Sequence, residues 1–109
     1  MDEVTAPAGE LVQIYWHRDL PPNDAEALGD HVLEATSDHV AGRFRHQDDE
    51  WLTCYENLMS HVRERLAEEV VRLGGTCAHV LSETIEARHN DAIGEGWLYG
   101  RFEYMLFRA

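Results

Sequence analysis

Residues 51–75 read WLTCYENLMSHVRERLAEEVVRLGG, and this stretch decides the fold. Its apolar side chains recur every three or four residues, which is the spacing of one face of an α-helix. That face consists of Trp51, Tyr55, Leu58, Val62, Leu66 and Leu73, flanked by Leu52, Met59 and Val70. Gly74 and Gly75 are typical of a helix C-terminus, and the acidic residues 48–50 suit the N-terminus. The stretch therefore predicts one long amphipathic helix.

A β-hairpin is predicted after this helix. Its two strands run from about Thr76 to Glu86 and from about Trp97 to Arg108, where β-branched and aromatic side chains are frequent. Because the segment 89–96 between them is rich in Gly, Asn and Asp, it predicts a long connecting turn.

A strand and a second helix are predicted before the long helix. Residues 11–17, LVQIYWH, have the β-branched and aromatic composition of a strand, which the prolines at 21–22 end. Asn23 and Glu26 resemble a capping box, which favours a helix start there. Apolar or aromatic side chains then follow at helical spacing, and Gly42 is placed to end the run before a polar break at 43–49. These spaced residues are Leu28, Val32, Ala35 and His39.

The predicted order of elements is therefore β-α-α-β-β. It indicates a single α+β domain over residues 10–109, with residues 1–9 as a flexible tail. We expect a three-stranded, mostly antiparallel sheet with two helices on one face. The length of 109 residues leaves no room for a second domain of ordinary size.

The charge of the chain excludes several function classes. Nine basic and 21 acidic residues give a formal net charge of −12, and every basic residue is Arg. Nucleic acid and anionic membranes both attract Lys and Arg, so we expect neither as a partner. Without Lys, Schiff-base chemistry and the lysine-containing phosphate-binding loop are excluded for this chain alone. Two Cys, no apolar run of membrane-spanning length and an acidic N-terminus predict a soluble, cytoplasmic protein.

Four acidic residues in the first predicted helix recur at every fourth position. They are Glu26, Asp30, Glu34 and Asp38. On a helix they form a stripe opposite the apolar face, where their mutual repulsion costs a few tenths of a kcal/mol per pair. The stripe is either an ordinary solvated face or a docking surface for a basic protein, and we predict docking as its role.

The last predicted strand, WLYGRFEYMLF at 97–107, is apolar on both of its faces. One face carries no charge and is assigned to the core: Leu98, Phe102, Tyr104 and Leu106. The other face mixes aromatic residues with Arg101 and Glu103, a composition closer to an interface than to a core. We predict a homo-oligomer that packs through Trp97, Tyr99, Met105 and Phe107. The alternative is that the N-terminal tail covers this face.

Two Cys and several His residues suggest a metal site as an alternative function. The candidate ligands are Cys54, His61, Cys77 and His79. Convergence of all four would make a Cys₂His₂ zinc site. However, Cys54 lies about 28 Å along the helix from the end where Cys77 follows, so we expect two separate thiols and no metal ligands. His39 is expected at the edge of the core, and a Glu83–His61 pair is a conceivable acid–base couple for an enzyme with a site at a subunit boundary.

The C-terminal half resembles a small bacterial heavy-metal-binding family. The residues that carry the resemblance are Tyr55-Glu56, Arg63-Glu64, the run Leu73 to Val80 and Ile85-Glu86. The family combines a long acidic helix, a Leu-Gly-containing step and a terminal hairpin, so the resemblance implies this architecture and a ring-like oligomer. The N-terminal half departs from the family because it lacks the family's glycine-rich segment.

These observations favour a small acidic binding or adaptor protein over a catalyst. We expect it to act as a homo-oligomer without a cofactor, with its own copies and a basic protein surface as partners. A metal-binding protein and a small-molecule enzyme are the alternatives.

Overall fold

A computed structural model describes residues 12–41 and 49–109 of the chain. Within these two ranges the chain forms five strands and one helix, so the protein is α+β. The elements are β1 (Gln13–Trp16), β2 (Glu26–Thr36), β3 (Val40–Ala41), α1 (Asp49–Arg72), β4 (Cys77–Asn90) and β5 (Glu95–Arg108). The predicted tail at 1–9 and the predicted helix end at Gly42 lie outside the described residues.

The strands form one mixed sheet in the order β1-β4-β5-β2, and β3 also pairs with β5. β1 is parallel to β4, whereas the β4–β5, β5–β2 and β5–β3 pairs are antiparallel. β4 and β5 form the predicted hairpin, which is longer than expected because β4 continues to Asn90. The predicted three-stranded sheet with two helices is therefore wrong.

The second predicted helix is wrong because residues 26–36 form β2. A spacing of four residues returns to the same face of a strand as well as of a helix, so the acidic repeat did not distinguish the two. The burial of the apolar residues shows a strand, because side chains alternate between its two faces. Leu33 and Ala35 are buried, while Val32, immediately before them, is 51% exposed. β2 pairs with β5 along residues Arg108 to Tyr99 of that strand. These strand–strand hydrogen bonds outweigh the helix-capping signal at Asn23.

The long helix is confirmed, and it ends as its sequence predicts. Gly74 has a φ of +83° and its amide donates to the carbonyl of Val71 at 3.1 Å. The Gly75 amide donates to the carbonyl of Val70 at 2.9 Å. These two bonds are the Schellman pattern, which satisfies the last carbonyl groups of a helix. The chain then passes directly into β4 through Thr76, whose amide donates to the Phe107 carbonyl at 2.9 Å.

The core lies between α1 and one face of the sheet. The predicted core residues of the last strand are confirmed, because Leu98, Phe102, Tyr104 and Leu106 are at most 2% exposed. They pack in one cluster with the inward side chains of α1: Cys54, Leu58, Met59, Val62, Leu66, Ala67 and Val70. One helix is thus enough to bury one face of the sheet. We call the opposite face, whose side chains point away from α1, the open face.

Candidate functional site

The open face is the strongest candidate for a functional site. In β5 its residues alternate with the core residues, and four of them are half-buried: Trp97, Tyr99, Met105 and Phe107. These are the residues predicted to form an oligomer interface. Neither α1 nor any strand in the described ranges packs over them, since all five strands belong to the one sheet. The Met105–Phe107 end is nevertheless partly covered, because their partners in β4, His79 and Cys77, are only 8% and 3% exposed. There His79 donates to the carbonyl of His17, in the connection that joins the two edge strands β1 and β2.

The sheet register places further side chains beside these four. Arg101 lies between Thr84 of β4 and Glu34 of β2, and Glu103 lies between Ser82 and Val32. Directly paired residues point to the same side of a sheet, so all six share the open face. The face therefore has a charged centre, with Trp97 and Tyr99 towards one end and Met105 and Phe107 towards the other.

The charged centre is held together by hydrogen bonds and ion pairs. The Tyr99 hydroxyl donates to the Glu34 carboxylate, and this bond is the main reason that the pKa of Tyr99 is raised. The Arg88 guanidinium lies 3.7 Å from the centre of the Tyr99 ring, in a cation–π contact. Arg101 Nη1 donates to Glu103 Oε1 at 2.6 Å. Since all of these groups are solvent-accessible, each contact adds little to the stability of the isolated chain.

A depression of about 490 Å³ lies across the middle of the sheet. Its lining comes entirely from strands: Asp30, His31, Val32, Leu81, Glu103 and Tyr104. Leu81 is 49% exposed and is the extra residue of a β-bulge between Val80 and Ser82. Together with Val32 it leaves two exposed aliphatic side chains around this depression.

The four acidic residues predicted to dock a partner do not form a stripe on a helix. Glu26 precedes an irregularity in β2 and pairs with Arg108 at 2.8 Å. Asp38 follows β2, where its carboxylate accepts from Asn57 Nδ2 at 3.2 Å. Asp30 and Glu34 lie on the open face opposite Met105 and Arg101. The docking role of these residues stays a prediction, and it now concerns three separate places in the fold.

The candidate metal ligands are not brought together. His61 Nδ1 donates to the Thr36 carbonyl at 2.9 Å, and buried His79 donates from Nε2 to the His17 carbonyl at 2.6 Å. Cys54 lies in α1 and Cys77 in β4, and both are free and buried. No group of three or more His, Cys, Asp or Glu side chains within the described residues is arranged to hold a metal ion.

The carboxylate–His pairs also differ from those expected. Glu83 Oε1 lies 3.2 Å from His17 Nε2, and the predicted partner His61 lies instead beside Thr36. His39 is exposed rather than at the edge of a helical core stripe. Its ring stacks on Trp97 with centroids 4.2 Å apart, and its Nδ1 lies 2.9 Å from Glu95 Oε1. His39 therefore covers part of the outermost aromatic side chain of the open face.

Sequence reasoning missed Val32, Leu81 and Arg88 as parts of this face. The sequence predicts Val32 on a helix, and the exposure of Leu81 depends on a bulge that leaves no local sequence signal. Arg88 could have been placed by continuing the alternation of β4 beyond Glu86, towards Trp97 on β5.

Both thiols should react slowly in the folded protein. Burial raises the pKa of the Cys54 thiol and that of the Cys77 thiol, which lowers the thiolate fraction at neutral pH. We expect a disulfide reagent to modify both at least about tenfold more slowly before unfolding in urea than after it. The variants Cys54→Ser and Cys77→Ser each leave one thiol, so the reaction rate of each thiol can be measured separately. Rapid modification of either thiol in the folded chain would contradict its buried position.

No helix in the described residues is both long enough and apolar enough to span a membrane. No protein-family model, no curated protein and no solved structure matches the chain. The resemblance to the heavy-metal-binding family therefore stays a prediction.

Proposed function

We propose that the protein is a non-catalytic binding protein that acts as a homo-oligomer, assembled through the open face. The observation that carries the proposal is the composition of that face. An antiparallel sheet exposed to water on one side normally presents polar side chains there. On this face Trp97, Tyr99, Met105 and Phe107 flank the charged centre, with exposed Val32 and Leu81 beside them.

The mixture of side chains on the open face is typical of an interface. Aromatic residues, Met and Arg are enriched where proteins meet, whereas an intramolecular core rarely contains Arg and Glu side by side. Half-buried rings in the isolated chain would become buried against a second sheet packed at about 10 Å. Apolar patches with polar side chains around them often mark sites where proteins meet, so self-association explains the aromatic ends of this face.

A second copy fits the face better than nucleic acid does, because the chain carries a net charge of −12. A basic protein surface is the second candidate partner, since Asp30 and Glu103 both line the central depression. A chain that stays single in solution and retains a basic protein through these residues would favour this second candidate.

The pair of variants Leu81→Glu and Leu52→Glu tests the proposal. Leu81 lies beside the open face and Leu52 on α1, and they are 49% and 51% exposed, so the same change meets similar solvent access. We expect Leu81→Glu to reduce the mass in solution to one 12.5 kDa chain, because it places a charge in the interface. Leu52→Glu should keep the mass of the unmodified protein.

Light scattering coupled to size-exclusion chromatography measures both masses, and circular dichroism shows that both variants fold. If Leu81→Glu retains the oligomer, or if Leu52→Glu dissociates it, assembly through the open face is wrong.

A further inference from the structure

The connection between β1 and β2 crosses the open face. These strands lie at opposite edges of the sheet, with β4 and β5 between them, so residues 17–25 have to pass across both central strands. On the other side of the sheet, α1 and the core fill the space. His79, which pairs with Met105 on the open face, donates to the His17 carbonyl at 2.6 Å. Residues 17–25 therefore run over the open face, and we call them the strap.

The strap covers the Met105–Phe107 end of the open face. β1 ends beside Val80 and β2 begins beside Arg108, so the strap crosses the part of the sheet between these two levels. Cys77 and His79 lie in this part, and both are buried although no helix or strand of the described ranges lies over them. The opposite end of the face, beyond the charged centre, lies outside the path of the strap.

The strap is fastened to the sheet through His17. The His17 amide donates to the Val80 carbonyl at 2.8 Å, and the His17 carbonyl accepts from His79. The ring atom Nε2 of His17 lies 3.2 Å from Glu83 Oε1. In the part of the chain that the structure describes, all hydrogen bonds between the strap and the sheet involve this residue. We call His17 with these three contacts the latch.

The rest of the strap is held loosely. All of its residues except Pro21 and Ala25 are exposed, and the Leu20 side chain is 74% exposed. The amides of Asp19 and Ala25 donate at 3.0 Å to carbonyls three residues before them, so both bonds form local turns. A segment with so few buried apolar contacts opens locally at a lower free energy than the core does.

The latch itself is under strain. Among the described residues other than glycine, only His17 has a positive φ, at +53°, and this left-handed conformation is unfavourable for a residue with a Cβ atom. Glu83 Oε2 is buried and has no hydrogen-bond partner within the described ranges, which also costs free energy. Both costs weaken the latch, so they favour opening of the strap.

We propose that the strap opens while the rest of the fold stays intact, and that its opening makes the Met105–Phe107 end available to a second copy. This inference rests on the proposed function and adds the regulation of the same face. With the strap closed, a partner can reach only the Trp97–Tyr99 end. With the strap open, the partner can contact both aromatic ends, so it binds the open state more tightly. Closure of the strap therefore weakens assembly.

The two thiols distinguish opening of the strap from unfolding of the whole chain, because Cys77 lies under the strap and Cys54 lies in the core. Each single-thiol chain is treated with a disulfide reagent at nanomolar concentration, in a series of urea concentrations below the unfolding transition. Local opening exposes much less surface than unfolding does. We therefore expect the rate at Cys77 to rise less steeply with urea than the rate at Cys54.

Variants of the latch test what holds the strap, and they are made in the Cys54→Ser chain. Glu83→Ala removes the contact with the His17 ring, so Cys77 should react roughly 2- to 10-fold faster, the range for the loss of one hydrogen bond. Glu86→Ala is the matched control, since Glu86 lies on the same strand and pairs with Arg88. It should leave the rate unchanged. His17→Asn tolerates the same backbone conformation but is too short to reach Glu83, and it serves if Glu83→Ala does not fold.

Dilution measures the effect of the strap on assembly. Light scattering gives the concentration at which half of the chains are assembled, for chains that keep both thiols. We expect this concentration to be lower for Glu83→Ala than for the unmodified protein, because its strap is open for more of the time. Glu86→Ala should leave it unchanged.

The outcomes separate this inference from the proposed function. A shallow urea dependence at Cys77, faster reaction in the latch variants and assembly at lower concentration support it. The same urea dependence for both thiols, or latch variants without effect on Cys77, overturns it, while assembly through the open face stands. An unchanged half-assembly concentration in Glu83→Ala also overturns it. An unmodified protein with the mass of one chain overturns the proposed function, and the regulation of assembly with it.

Discussion

Replacing Phe102 with alanine should lower the free energy of unfolding by about 3–5 kcal/mol, the largest effect that we expect from any single substitution. The Phe102 ring is fully buried and packs with Leu58 and Leu33 between α1 and the sheet. Truncation removes the apolar surface of the ring and leaves a cavity, because a helix and two paired strands cannot collapse around it.

Urea unfolding followed by circular dichroism measures this change, at one protein concentration because assembly also contributes to apparent stability. Phe102→Leu is the control, since it keeps most of the buried volume and should cost much less. A loss below about 1 kcal/mol for alanine would place the ring outside the core.

Replacing Gly75 with alanine should cost about 1–3 kcal/mol, because it overpacks the junction between α1 and β4. A Cβ atom on Gly75 would lie 2.5 Å from Leu106 Cδ1 and 2.8 Å from the Phe107 carbonyl oxygen. The carbonyl is held by the Thr76 amide at 2.9 Å, so it cannot retreat without breaking the start of the hairpin ladder.

Gly74→Ala is the matched control for the substitution at Gly75. Gly74 has a φ of +83° but no neighbouring atom within 4 Å of an added Cβ, so alanine there meets backbone strain alone, at about 1 kcal/mol. The same urea titration compares the two variants. A smaller loss for Gly75→Ala than for Gly74→Ala would contradict the close approach of the junction to β5.

The parts of the fold that could be predicted are those where local signals agree. In α1 the apolar spacing, the acidic N-terminus and the Gly74-Gly75 stop all indicate one helix, and the structure has it at Asp49–Arg72. The alternation of core and outward side chains in β5 could also be predicted, because only one of its two faces carries charged residues.

β2 could not be predicted because its decisive partner is distant in sequence. Its acidic residues recur at a spacing common to helix and strand, and the Asn23–Glu26 pair favours a helix locally. Pairing with β5, about 70 residues later, decides the conformation. The same long-range contact places Val32 and Glu34 on the open face, so the part of that face that β2 contributes could not be predicted.

The mass of the unmodified full chain tests assembly through the open face most directly. It is measured by light scattering coupled to size-exclusion chromatography at micromolar concentration. Assembly through the open face predicts a mass of at least two 12.5 kDa chains. The mass of a single 12.5 kDa chain would contradict it.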